Sequence, residues 1–151
     1  MATRSNLMQH VENAIQSNWQ YVFGAKGRVL SKNEIIALQR KWGKKNVWDS
    51  DINKAGKICC DCSGLISSFT GKEKNADTYC STAIEVKPIN QRNSNMRGWG
   101  VWRSGHIGVY DGANGYYAMD GSKYNAVHKP LDKAPSSFTH IIKLCDINYN
   151  L

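Results

Sequence analysis

Three cysteines fall within four positions, Cys59, Cys60 and Cys62, and the last of them sits in the run Asp61-Cys62-Ser63-Gly64-Leu65-Ile66. A thiol attacks as its thiolate, and a free cysteine with a pKa near 8.5 is mostly protonated at neutral pH. The stretch 61–71 reads as a helix opened by small polar residues and ended by Gly71, so Cys62 falls at a helix start. There the positive end of the helix and its unpaired N–H groups favour an anion, and the backbone N–H of Cys62 and its neighbours offers a place for a developing oxyanion. Cys59 and Cys60 lie upstream, in a loop or strand end, without that setting. A free cysteine is more often a small buried hydrophobe, so Cys62 needs a partner before it can be read as a nucleophile. Cys59 and Cys62 also form a C-x-x-C pair. Zinc would require a second ligand pair, and no other C-x-x-C, C-x-x-H or H-x-x-x-H spacing occurs; a redox site would require a preceding βαβ unit, and the stretch before Cys59 reads as helix and polar loop. No metal and no cofactor are expected.

A nucleophilic cysteine needs a base, usually a histidine brought close by the fold. Of His10, His106, His128 and His140, His106 has the most distinctive setting, Gly105-His106-Ile107-Gly108-Val109-Tyr110. The alternation places His106, Gly108 and Tyr110 on one face of a strand. The turn Asp111-Gly112-Ala113-Asn114-Gly115 predicts a hairpin. If it is symmetric about Ala113, Tyr110 faces Tyr116 and His106 faces Asp120. A carboxylate directly across a strand pair can fix the imidazole tautomer; the plainer reading of Asp120 is a turn residue before Gly121.

These residues need elements to carry them. Apolar positions over 5–20 have helical spacing. Tyr21-Val22-Phe23-Gly24 is a short β-prone run. Ser31-Lys32-Asn33-Glu34 has the form of a capping box opening a helix to about Trp42, which Gly43 ends. Residues 43–58 read as a basic surface loop, and 76–86 as a further short helix. Strands are predicted at 99–103, 106–110, 115–120, 125–128 and 138–145. Helices first and strands last, without regular alternation, imply an α+β fold with an antiparallel sheet of about five strands.

The 151-residue chain suits one domain, 1–151. Its net charge of +8, from 20 Lys and Arg against 12 Asp and Glu, favours polyanions: nucleic acid, acidic membranes or anionic wall polymers. The basic residues are spread along the chain with no run of five, which argues against nucleic acid. No apolar run reaches the roughly 20 residues of a membrane span. Five cysteines, an odd number, argue against a disulfide framework. Met1 to Gln20 lacks the apolar core of a signal peptide, so a target outside the cell would call for another export route.

Taken together, Tyr21-Val22-Phe23-Gly24-Ala25, Asp61-Cys62-Ser63-Gly64-Leu65-Ile66 and Gly105-His106-Ile107-Gly108-Val109-Tyr110 resemble the NlpC-type cell-wall endopeptidases, a papain-like cysteine peptidase superfamily, over about residues 17–145. The resemblance implies a helix carrying the nucleophile at its N-terminus, packed with other N-terminal helices on an antiparallel sheet that carries the histidine. It implies hydrolysis of an amide bond in peptidoglycan stem peptides, often D-glutamyl to diamino acid, outside the cell; a monomer is expected. Cys62 attacks, His106 acts as base and then acid, and Tyr21 helps bind substrate or oxyanion. Asp61 and Ser63 match positions that recognise the stem peptide. Two departures stand out. Residues 26–58 intervene where relatives have a short link, implying an ordered insertion beside the cleft. An ungapped alignment puts Ala118 where relatives have His, Glu or Asn, so Asp120 takes that place only through a longer turn. The alternatives are a wall-binding module without catalysis, or the same thiol machinery on another amide or acyl substrate.

Overall fold

The structure, a computed structural model, describes residues 2–150. Helix α1 spans Arg4–Gln16, with the Thr3 side chain accepting the Asn6 N–H as its cap. It buries Leu7, Met8, Val11 and Ala14, the stripe that the spacing predicts. It is shorter than the expected 5–20, because Asn18 adopts a left-handed conformation (φ 53°) and turns the chain into strand β1, Gln20–Tyr21. Strand β2 covers Lys26–Val29 and helix α2 covers Lys32–Trp42. The capping box is present at α2: Ser31 Oγ accepts the Glu34 N–H, and Glu34 accepts the Ser31 N–H.

The expected surface loop at 43–58 is a structured segment. Val47 is fully buried, a 3-10 turn runs over Asp49–Lys54, and strand β3 covers Ile58–Cys60. Val22, Ala25, Leu30, Ile35, Val47 and Cys59 form a small core of their own beneath α2. Strand β3 pairs parallel to β1, with Tyr21 beside Cys60, and antiparallel to β2. This three-stranded sheet brings position 21 next to the cysteine run, across almost forty residues of chain.

Helix α3 spans Gly64–Thr70, later than the expected 61–71, with residues 62–63 forming the turn that enters it; Gly71 closes it in a left-handed conformation. Helix α4 spans Ala76–Ser81. The helix expected over 76–86 stops there, and Glu85–Pro88 is strand β4, the edge of the main sheet. The other strands fall close to their expected places: β5 Gly100–Arg103, β6 His106–Tyr110, β7 Gly115–Met119, β8 Ala126–Pro130 and β9 His140–Lys143. The order is β4-β9-β5-β6-β7-β8, all antiparallel. Among the described residues the main sheet thus has six strands, the sixth being the edge β4.

The period-two alternation divides the sheet between two cores. Ile107, Val109, Tyr117, Met119 and Ile142 pack on α1 and α3. Val101, Tyr110, Tyr116, Ala118 and Ile141 pack on the opposite side with Met96, Trp99 and Phe138. Strands β6 and β7 are pressed close at Gly108: a Cβ there would lie 2.7 Å from Tyr117 O and 3.0 Å from the Ala118 Cβ. An α+β fold results, with the site at the His106 end of β6.

Candidate active site

Cys62, His106, Asp120, Tyr21, Asp61 and Ser63 all line one cavity of about 620 Å³. Six residues from four parts of the chain meet there because β1 lies beside β3, the chain turns from β3 into α3, and β6 ends against that turn.

The hairpin has the predicted symmetry: Tyr110 pairs with Tyr116 and Val109 with Tyr117. Continued to the end of β6, this register puts His106 opposite Asp120, and His106 Nε2 is 2.9 Å from Asp120 Oδ1. The Asp120 side chain is almost wholly buried, and its Oδ2 accepts the Tyr116 hydroxyl. A carboxylate only accepts, so Nε2 of the neutral ring carries the proton and Nδ1 keeps its lone pair. The imidazole stacks on Phe138 with centroids 5.5 Å apart and planes 13° apart, which fixes its tilt. Ala118, at the aligned position, is fully buried among apolar side chains and orients nothing. Burial, then the hydrogen bond and charge of Asp120, push the Tyr116 phenol well above its ordinary value.

Asp61 organises the turn that carries Cys62. Its Oδ1 accepts the Gly64 N–H at 2.7 Å and the Ser63 hydroxyl at 3.3 Å, so Asp61 rather than the N-cap residue Ser63 caps α3. Its Oδ2 pairs with Lys26 Nζ at 2.8 Å. A Cβ on Gly64 would lie 2.8 Å from both Ala25 O and Asp61 Oδ1, so the turn needs glycine there. Both Asp61 and Ser63 are therefore engaged with neighbouring protein atoms at the cleft wall.

Cys62 is half-buried, and its Sγ lies 3.9 Å from Gly105 O, the residue before His106. A helix start favours a lowered thiol pKa. Instead burial, and next the Asp61 charge, push the thiol up to about 11; N–H groups of Ile107 and Ser63 and the Lys26 charge act in the other direction without winning. The thiol is neutral at rest. Cys59 and Cys60 point into different cores, as neighbours on a strand must. Burial pushes the Cys59 thiol up to about 11 and Cys60 well above its ordinary range.

Tyr21 is fixed by its main chain. Its N–H donates to Asn125 Oδ1 at 2.9 Å and its carbonyl accepts from Lys54 Nζ at 2.7 Å. Burial, then Cys62 and Asp61, push its phenol well above the ordinary value.

The rest of the cavity comes from residues to which the sequence assigns no chemical role. Phe23, Gly24, Leu38, Lys41 and Trp42 form one group, and Glu73, Asn75, Asp77 and Arg103 another. Phe23 meets Trp42 edge to face at 5.4 Å, and a Cβ on Gly24 would strike the Trp42 indole at 2.8 Å. Asp77 Oδ1 accepts the Gly105 N–H at 2.9 Å and holds the turn before His106. Tyr116 was within reach of the sequence, since it lies four residues before Asp120 on the same strand face. Lys54, Asn125 and Asp77 had no local signal.

No family model matches the chain, and no curated protein matches it in sequence. Solved structures do. The P60 domain of the antigen MAP1204 from M. avium subspecies paratuberculosis superposes with a TM-score of 0.53 at 18% identity, covering 93% of this chain and 96% of that one. The peptidoglycan hydrolase RipB of Mycobacterium tuberculosis superposes with a TM-score of 0.52 at 22% identity, covering 93% of this chain and 68% of that one. Over nearly its whole length, this chain has the fold of the P60 domain.

Proposed function

We propose that the protein is a cysteine peptidase of bacterial cell walls that hydrolyses an amide bond in the peptidoglycan stem peptide, the bond from D-glutamate to the following diamino acid. One observation carries this reading: Asp120 holds His106 by Nε2, leaving Nδ1 to accept a proton in the cavity that Cys62 lines. RipB, a peptidoglycan hydrolase, has the same fold, and the +8 charge suits an anionic wall outside the cell.

The raised thiol pKa sets the order of events. With neutral Cys62, attack on the scissile carbonyl carbon is coupled to transfer of the thiol proton to His106 Nδ1. The carbonyl oxygen becomes an oxyanion at the Cys62 turn, beside the backbone N–H of Cys62 and the Tyr21 phenol. Collapse breaks the C–N bond, and His106 returns the proton to the leaving amine. Water, deprotonated by His106, then cleaves the thioester and restores the thiol. The Asp120 carboxylate accepts from Nε2–H and steadies the imidazolium, and the stacked Phe138 fixes the ring.

The test is digestion of defined muropeptides with products read by mass spectrometry. Cleavage by the wild-type protein and its loss in Cys62→Ala and His106→Ala, both still folded, are the expected results. Full activity in Cys62→Ala would refute the mechanism. Retention on insoluble wall without soluble products would point to a binding module.

A further inference from the structure

Among the described residues, the most buried charged pair lies in the segment between β2 and β3, apart from Cys62 and His106. Asp51 is fully buried and Lys54 nearly so, both in the 3-10 turn of the 26–58 segment. Lys54 Nζ lies 2.7 Å from Asp51 Oδ1. It also donates to two distant carbonyls, Tyr21 O at 2.7 Å and Ser122 O at 3.1 Å. Asp51 Oδ2 accepts the Trp48 N–H and the Ser122 hydroxyl, each at 2.8 Å. Ser122 is thus gripped twice, by main chain and by side chain.

What is gripped matters more than the grip. Ser122 belongs to the turn that follows Asp120, and that turn is closed by the Asp120 N–H donating to Asn125 O at 3.0 Å. Asn125 sits in a left-handed conformation (φ 59°) and holds the Tyr21 N–H. Both polar groups of the Tyr21 backbone and the turn behind Asp120 therefore belong to one buried network centred on Lys54. A buried ion pair gives little net stability, since desolvation cancels most of the attraction, whereas directional bonds to fixed partners define geometry.

We infer that Asp51 and Lys54 are positioning residues for the active site: they lock the turn behind Asp120 to the Tyr21 strand, and so hold His106 in the tautomer and orientation its chemistry needs. This rests on the peptidase reading above for its kinetic part only. The 26–58 segment is then part of the catalytic support, not an appendage beside the cleft.

The experiment replaces the pair by apolar residues of similar size, Asp51→Leu with Lys54→Met, which keeps the volume filled and avoids a lone buried charge. The His106 Nε2–H resonance is followed by NMR in the substrate-free protein, and kcat and KM are measured on muropeptides. The expected result is a folded protein with that resonance lost to exchange and kcat lowered about tenfold or more, KM changing less. Ser122→Ala, which keeps the ion pair, should give a smaller change in the same direction, and it decides the matter if the double variant does not fold. Arg28→Ala, which breaks an exposed pair with Glu34 on the same segment, should change neither readout. A folded double variant, or failing that Ser122→Ala, with the wild-type resonance and wild-type kcat would overturn the inference. Should the wild-type protein cleave no muropeptide, the peptidase reading falls while the resonance still decides the positioning role.

Discussion

Cys62 should behave as a masked nucleophile. Its thiol is pushed up to about 11, by burial first and by the Asp61 carboxylate second. Against a free thiol near 8.5, this leaves about 250-fold less thiolate at pH 7 to 8. A more basic thiolate is intrinsically more reactive, which returns about a factor of ten. Alkylation of Cys62 by iodoacetamide in the absence of substrate should therefore run about twentyfold slower than that of an unstructured cysteine peptide. The rate should climb about tenfold per pH unit from 7 to 10, with no plateau below that range. The assay is site-resolved: quench at timed intervals, digest, and quantify the carbamidomethylated peptide containing Cys62 by mass spectrometry. Asp61→Asn removes the second cause, and its pH–rate curve should shift toward lower pH. A plateau in the wild-type curve near pH 6 or 7 would mean a preformed thiolate–imidazolium pair, and the neutral-thiol mechanism would be wrong.

Three further outcomes follow from the same geometry. Asp120→Asn presents an amide where Nε2–H needs an acceptor fixed in charge and orientation; kcat should fall about 10²- to 10⁴-fold with the circular dichroism unchanged, and an asparagine variant within a factor of two of wild type would remove Asp120 from the mechanism. His10, on α1 and facing α3 with Nε2 2.9 Å from Leu65 O, has a pKa lowered below 6.5 by burial, against the pull of that carbonyl. Its contribution to stability is complete above pH 6.5 and is lost as pH falls toward the lowered value, so the melting temperature should drop in that window, at roughly 2–4 °C per kcal/mol for this size; His10→Gln should flatten that part of the curve, and an unchanged slope would assign it to other groups. Cys59 and Cys60 are fully buried, so native labelling should mark Cys62, Cys80 and Cys145 first and reach Cys59 and Cys60 only in denaturant; equal labelling of all five would contradict the packing of β3.

The parts of the site legible in the sequence were those governed by local rules. The alternation along β6, the turn centre at Ala113 and the period of two predict the His106–Asp120 pairing, and the small polar residues around Cys62 predict a helix ended by Gly71, which begins at Gly64 and not at Asp61. What was illegible depended on distant partners. Asp51 and Lys54 look like solvated loop residues, because nothing within the 43–58 stretch reveals that Tyr21 and Ser122 will supply the hydrogen bonds that let the pair be buried. Strand β4 carries exposed Val86 and ends in Pro88, an edge strand that lacks the apolar face by which strands are recognised. The lowered thiol pKa expected of a helix start also failed, since the helix-start field competes with burial and with the carboxylate that caps the same helix.

The hydrogen-bond chain from His106 to Asp120 does not end at the protein surface; it ends at the hydroxyl of Tyr116, whose ring is embedded with Phe138, Tyr110 and Ala118 in the core on the far side of the sheet. On the peptidase reading proposed above, the alignment of His106 and the integrity of that core are thereby made heritable together. Substitutions that loosen that core without unfolding it would register first as lost turnover, so a population of variants selected for activity alone would also be selected for the packing of residues that never approach the substrate.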